Sequence, residues 1–165
     1  MGIKRIGKHL LHTSWQVRRA FPRAALANIE KAIKASEAAH AGQIRFVVEG
    51  ALDGASLLRN KSPRAHAIDV FARLRIWDTE YSNGILIYLL LADRDVEIVA
   101  DRGIDGKVEQ ADWETICRVM EKEFRAGNFE GGALKGIAAA SQLLAKHFPL
   151  SGPRRNELPD KPLVM

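Results

Sequence analysis

The stretch that decides the fold is Gly84-Ile85-Leu86-Ile87-Tyr88-Leu89-Leu90-Leu91-Ala92-Asp93-Arg94-Asp95-Val96-Glu97-Ile98-Val99-Ala100. Ile85 to Ala92 is a continuous apolar run, too short for a membrane span and right for a strand covered on both faces. Asp93-Arg94-Asp95 is a polar break of three residues. Val96 to Ala100 alternates enough to be a second, less buried strand. A gap of three residues between two such runs predicts an antiparallel hairpin.

Working upstream, Asp78 to Asn83 is a polar loop, preceded by a helix opened by Ser62-Pro63, an N-cap and first turn. Ala67, Ile68, Phe71 and Leu74 share a face, and the helix is expected to end near Trp77. Gln43 to Glu49 reads as a strand, and Gly50 to Lys61 as an irregular connection. Before it, Pro22 opens a helix with Leu26, Ile29, Ile33 and Glu37 on successive turns, running to about Ala41. Residues 3–19 show apolar steps of three and four with basic residues opposite, the pattern of an amphipathic helix. Downstream lie a polar loop over 101–106 and two helices, about Gln110 to Arg125 and Glu130 to His147. Residues 150–165, with Pro153, Pro159 and Pro162, are expected to form a loose tail.

Strands reached through a helical crossover, with a central hairpin and helices on both faces, predict a three-layer α/β/α sandwich around a small mixed sheet. The expected divisions are a basic N-terminal arm over 1–21, an α/β domain over 22–149 and a flexible C-terminal tail over 150–165.

A chain of 165 residues buries enough surface to fold without disulfides or metal. One cysteine, Cys117, excludes an internal bridge and thiolate zinc sites, and its place on an apolar helix stripe points to burial. The chain reads as having no secretory signal and no membrane span, so a cytoplasmic location is expected, peripheral to the membrane. The net charge of +5 is uneven. Residues 1–23 carry six basic groups and no acid, and the other 142 carry 19 basic and 20 acidic groups. A basic arm can meet an anionic membrane surface or a membrane protein. The near-neutral remainder, with no basic and aromatic stripe, gives no expectation of specific nucleic-acid binding.

The hairpin brings the loop before its first strand beside the loop after its second. Asp78, Glu80, Asn83, Asp101 and Asp105 would therefore gather at one end of the sheet with Arg102. Carboxylates and an amide are hard oxygen ligands suited to Ca²⁺ or Mg²⁺. The same residue types also serve turns by bonding nearby backbone. Asp93 and Arg94, in the hairpin turn at the opposite end, are secondary candidates together with Arg102. The histidines show no ligand spacing. His66 and Asp69, three apart on a helix, predict a surface hydrogen bond. Trp77 and Trp113 are expected in the core, and Trp15 at a membrane interface or against the domain. No serine lies in a hydrolase elbow, and no clear nucleophile is present.

Gln43-Ile44-Arg45-Phe46-Val47-Val48-Glu49, Arg64-Ala65-His66-Ala67, Asn83-Gly84-Ile85-Leu86-Ile87-Tyr88, Asp93 to Ile104, and Phe124-Arg125-Ala126-Gly127-Asn128-Phe129-Glu130-Gly131-Gly132 together resemble the TPM domain family over about residues 22 to 149. The resemblance implies an α/β/α sandwich. It also implies calcium binding as in some members, the phosphatase activity with which the domain is labelled, and action with membrane-protein complexes. Its acidic positions correspond here to Asp78, Asn83 and Asp101, with Asp93 and Arg94 in the turn. The chain departs from the family where a glycine-aromatic-glycine is usual and Asp101-Arg102-Gly103 stands, in the short loop before Asn83, and in lacking the export signal and membrane helix common among members. The expected function is a binding module, non-catalytic or weakly catalytic, for a divalent cation or a membrane-associated protein. The alternative is a metal-assisted phosphatase of phosphate esters.

Overall fold

The computed structural model describes residues 14–52, 61–104, 106–153 and 155–165. In chain order the elements are α1 (Ser14–Ala20), α2 (Arg23–Ser36), β1 (Gln43–Glu49), α3 (Pro63–Arg73), β2 (Gly84–Leu90), β3 (Asp95–Ala100), α4 (Gln110–Arg125), α5 (Phe129–His147) and β4 (Leu163–Val164). The strands lie in the order β3-β2-β1-β4. β1 runs parallel to both β2 and β4, and β2 pairs antiparallel with β3. The mixed sheet with its central hairpin is the architecture expected.

β2 is apolar throughout because each of its faces meets a helical layer. Ile85, Ile87 and Leu89 pack with Ile29 and Ile33 of α2, Met120 and Phe124 of α4, and Ile137 and Leu144 of α5. Leu86, Tyr88 and Leu90 point the other way, toward Ala67 and Val70 of α3 and toward Ile76 and Leu158. The period of two along one strand thus serves two cores, one on each side of the sheet. Trp113 is buried as expected. Among the described residues no helix is long and apolar enough to cross a membrane.

The structure corrects several local expectations. α2 stops at Ser36, not at Ala41. Glu37 leaves the helix, is buried, and its Oε1 accepts the main-chain N–H of Ile44 at 2.9 Å. A buried N–H at the start of a strand requires an acceptor, and the Glu37 carboxylate at the helix C-cap supplies it. α3 ends at Arg73 rather than near Trp77. Arg75 adopts a left-handed φ of 53°. After that reversal Ile76 is fully buried, while Trp77 is 47% exposed instead of packed in the core.

Residues 150–165 do not behave as a loose tail. Leu158 is buried, and β4 extends the sheet beside β1 with Val47 opposite Leu163 and Val48 opposite Val164. Of the N-terminal arm, Ser14–Ala20 is helical and Phe21-Pro22 interrupts it as expected. The rest of the expected helix, over 3–13, lies outside the described residues.

Candidate functional site

Register places the two polar loops side by side. Ile85 faces Ala100, so the residues beyond them are neighbours. Asp101 donates its N–H to the Gly84 carbonyl at 2.9 Å, and Gly103 donates its own to the Ser82 carbonyl at 2.9 Å. A side chain at Gly103 would lie 2.5 Å from the carbonyl oxygens of Ser82 and Tyr81, so glycine permits this crossing. Arg102 Nε donates to Ser82 Oγ at 3.3 Å.

Asn83 is the most tied of the candidate residues. Its N–H donates to Thr79 Oγ1 at 3.0 Å, its Nδ2 donates to the Ala41 carbonyl at 2.8 Å, and its carbonyl accepts from Gln43 N at 3.1 Å. Asp101 Oδ1 accepts from Arg102 N at 2.7 Å, a turn-forming bond of the ordinary Asp type. One oxygen of each remains: Asn83 Oδ1 and Asp101 Oδ2 are buried and have no hydrogen-bond partner. Strand alternation turns them to opposite faces, Asn83 with Ile85 toward the larger core and Asp101 with Val99 toward the smaller. Each is a separate unsatisfied acceptor whose free-energy cost a donor or cation at that oxygen would offset.

The other acidic candidates are placed elsewhere. Asp78 is exposed and pairs with Arg75 at 2.8 Å. Glu80 is exposed, and its contribution to the fold is its main-chain N–H, which donates to Glu157 Oε2 at 2.9 Å. Asp105 lies outside the described residues. Among the described residues, no group of three or more His, Cys, Asp or Glu is placed to hold a metal ion. Asp93 and Arg94 sit in the hairpin turn at the far end of the sheet, and Arg94 Nη1 donates to the Arg125 carbonyl at 3.4 Å.

What fills the loop end is a groove of about 520 Å³ that Tyr81, Asn83, Arg102, Lys107, Phe148 and Ser151 help to line. Its charged side chains among the described residues are Arg102 and Lys107, both cationic. Lys107 Nζ lies 4.3 Å from the centre of the Phe148 ring, a cation–π contact that fixes one wall. Sequence reasoning missed Lys107, the residue that follows the 101–106 loop, and missed Phe148 and Ser151 because they reach this end only through the packing of α5 beside the sheet.

Two further constellations stand apart. Glu49 Oε2 accepts from His66 Nε2 at 2.9 Å and from Tyr88 Oη at 2.8 Å, joining β1, α3 and β2 in the smaller core. His66 is therefore buried and faces Glu49, while Asp69, its expected surface partner, pairs with Lys61. Burial and the neighbouring Glu49 carboxylate push the Tyr88 hydroxyl far above its ordinary range. At the α1 end, Trp15 is 62% exposed with the Arg19 guanidinium 5.4 Å from its ring. It borders a groove of about 410 Å³ shared with Leu91, Arg94 and Phe129.

A family model for the TPM domain matches residues 18–143. The NMR structure of the BA42 protein from the psychrophilic bacterium Bizionia argentinensis sp. nov. is similar, at 31% identity and a TM-score of 0.73, over 86% of this chain and 93% of that one. The N-terminal domain of a protein from P. gingivalis, also solved by NMR, shares 19% identity with a TM-score of 0.60, over 79% of this chain and 82% of that one, a likeness of fold. No curated protein matches the chain.

Proposed function

The chain belongs to the TPM domain family, and from that premise we propose that it is a binding module whose loop end takes a hard divalent cation. The observation that carries this reading is that Asn83 Oδ1 and Asp101 Oδ2, at that end of the sheet, are each buried and unpartnered. Both are hard acceptors of the kind Ca²⁺ and Mg²⁺ prefer. Titration with Ca²⁺ and Mg²⁺, followed by amide shifts, tests it. Shifts centred on Asn83, Asp101 and Gly103 that vanish in Asp101→Asn support the reading; no movement at millimolar cation ends it.

Metal-assisted hydrolysis of a phosphate ester is the runner-up, favoured by Arg102 and Lys107 in the same groove, where they could meet an anionic group. Ser82 Oγ accepts from Arg102 and has no base beside it among the described contacts. Hydrolysis that survives Asp78→Asn and Asp101→Asn would point to a contaminant.

A second surface supports the membrane side of the reading. Trp15 is exposed with Arg19 against its ring, Arg18 and Arg23 are exposed in the same part of the sequence, and residues 1–23 carry no acid. An amphipathic ring among cations suits an anionic lipid interface. Sedimentation with anionic but not neutral vesicles, lost at high salt and weakened in Trp15→Ala, is the expected result. Equal recovery with both vesicle types would overturn it.

A further inference from the structure

The sheet has two edges, and they are treated differently. On β3, side chains occupy the outward backbone groups: Glu121 Oε1 accepts from Val96 N at 3.4 Å, and Arg64 Nη1 donates to the Ile98 carbonyl. That edge is blunted in the usual manner of exposed strands. On β1, another piece of backbone pairs with Val47 and Val48.

Residues 155–165 lie along β1 in a seat built to receive an extended chain. Gln43 is 1% exposed, and its Oε1 accepts from the N–H groups of Glu157 at 3.0 Å and Leu158 at 3.1 Å. Its Nε2 donates to the Arg155 carbonyl at 3.4 Å. Arg45 Nη1 then donates to the carbonyls of Pro159, at 2.8 Å, and Lys161. Beyond them the ladder takes over: Met165 N donates to the Val48 carbonyl at 2.8 Å and Gly50 N to the Met165 carbonyl at 3.2 Å. Leu158 enters the smaller core, and Leu163 packs against it. Two side chains and a short ladder thus read backbone, and two leucines five residues apart supply the apolar anchors.

The connection to this segment is weakly held. Leu150 to Pro153 are all exposed, and Gly152 has a φ of 142°, open to glycine and strained for other residues. The ladder itself has only two paired positions on β4. Nothing in the seat depends on the segment coming from the same chain.

We propose that the outer edge of β1 is a strand-addition seat whose occupant, the C-terminal segment 155–165, exchanges with the same segment of a second copy. In one chain the tether holds the segment at an effective concentration of about millimolar, so exchange needs comparable protein concentration or refolding at high concentration. The product is a reciprocal dimer in which each contact is retained and only the connection through 150–153 opens.

Val48 and Val164 lie opposite each other in the register and report which chain fills the seat. In a Cys117→Ser background, Val48→Cys with Val164→Cys should oxidise to a cross-linked monomer after refolding at micromolar concentration. At about millimolar concentration the same variant should give disulfide-linked dimer in a share that rises with concentration. Cross-linked monomer alone at every concentration overturns the proposal, as does no cross-link at all. Equal dimer yields from the two single-cysteine variants overturn it too. Should the double variant fail to fold, the unsubstituted chain decides: refolded at the same concentrations, it must yield a dimer by light scattering that returns slowly to monomer on dilution, and a monomer throughout refutes exchange.

Discussion

Glu49 and His66 are held together across the interface of β1 and α3, with Glu49 Oε2 2.9 Å from His66 Nε2 and shared with the Tyr88 hydroxyl. One carboxylate oxygen thereby satisfies two buried donors from two other elements. Tyr88→Phe removes one bond and leaves the other, at an expected cost of about 1 kcal/mol. Glu49→Ala leaves both donors buried without an acceptor, at an expected cost of about 3 kcal/mol or more. Urea unfolding of the two variants measures the difference, and equal losses would show that Glu49 is not the shared acceptor.

Gly84 opens β2 directly beneath the chain leaving α3. A Cβ there would lie 2.2 Å from the Ile76 carbonyl oxygen, which is backbone and cannot turn aside. Gly84→Ala should therefore cost more than about 2 kcal/mol, through displacement of the 76–83 segment. Gly106→Ala is the comparison: its φ is 83°, but open space surrounds it. The expected loss there is about 1 kcal/mol, from backbone strain alone. Thermal melting of both variants side by side checks the order.

Glu97 is held above the ordinary carboxylate range, chiefly by burial and then by the neighbouring Asp95, with Arg64 opposing both. A carboxyl whose folded-state pKa is raised adds stability below its unfolded pKa and loses it as the pH rises through the folded value. Glu97→Gln should gain stability relative to the unsubstituted protein as the pH rises above about 4, the ordinary carboxylate value, and the gain should level off once the pH passes the raised folded value. The half-exposed ion pair with Arg64 at 3.5 Å opposes this gain only slightly. A stability difference that does not change with pH would contradict the assignment.

Cys117 lies against the larger core, and burial, reinforced by the charge of Glu97, pushes its thiol up to about 12. At about pH 8 its thiolate fraction in the folded protein should fall about a thousandfold below that of a free thiol. Iodoacetamide labelling of the folded protein should be slower than that of a free thiol by about the same factor, and accelerate in denaturant. Labelling at the rate of a free thiol under native conditions would refute the raised thiol.

Local chemistry was enough to write most of the framework. The apolar run Ile85 to Ala92, the break at Asp93 to Asp95 and the alternation that follows determined a hairpin, because strand periodicity and turn length are properties of neighbouring residues. From the hairpin came the adjacency of the 78–83 and 101–106 loops, later seen in the bond from Gly103 N to the Ser82 carbonyl. The Ser62-Pro63 helix start was legible for the same reason, and Ser62 Oγ does accept from Ala65 N at 3.1 Å.

Other features belong to tertiary structure alone. Residue types offered Asp78, Glu80, Asn83 and Asp101 as equals, but partner choice separated them: Arg75 takes Asp78, Arg102 N takes half of Asp101, and only Asn83 Oδ1 and Asp101 Oδ2 are left buried and unmet. His66 found Glu49 rather than Asp69, because the packing of α3 on the sheet, not helix spacing, set its distances. The proline-rich end read as a tail, since nothing in residues 155–165 announces that Gln43 and Arg45, more than a hundred positions earlier, hold its backbone in place. Periodicity is a local property and survives translation into structure. Which buried group meets which partner is decided by chain segments that become neighbours only after the layers have closed.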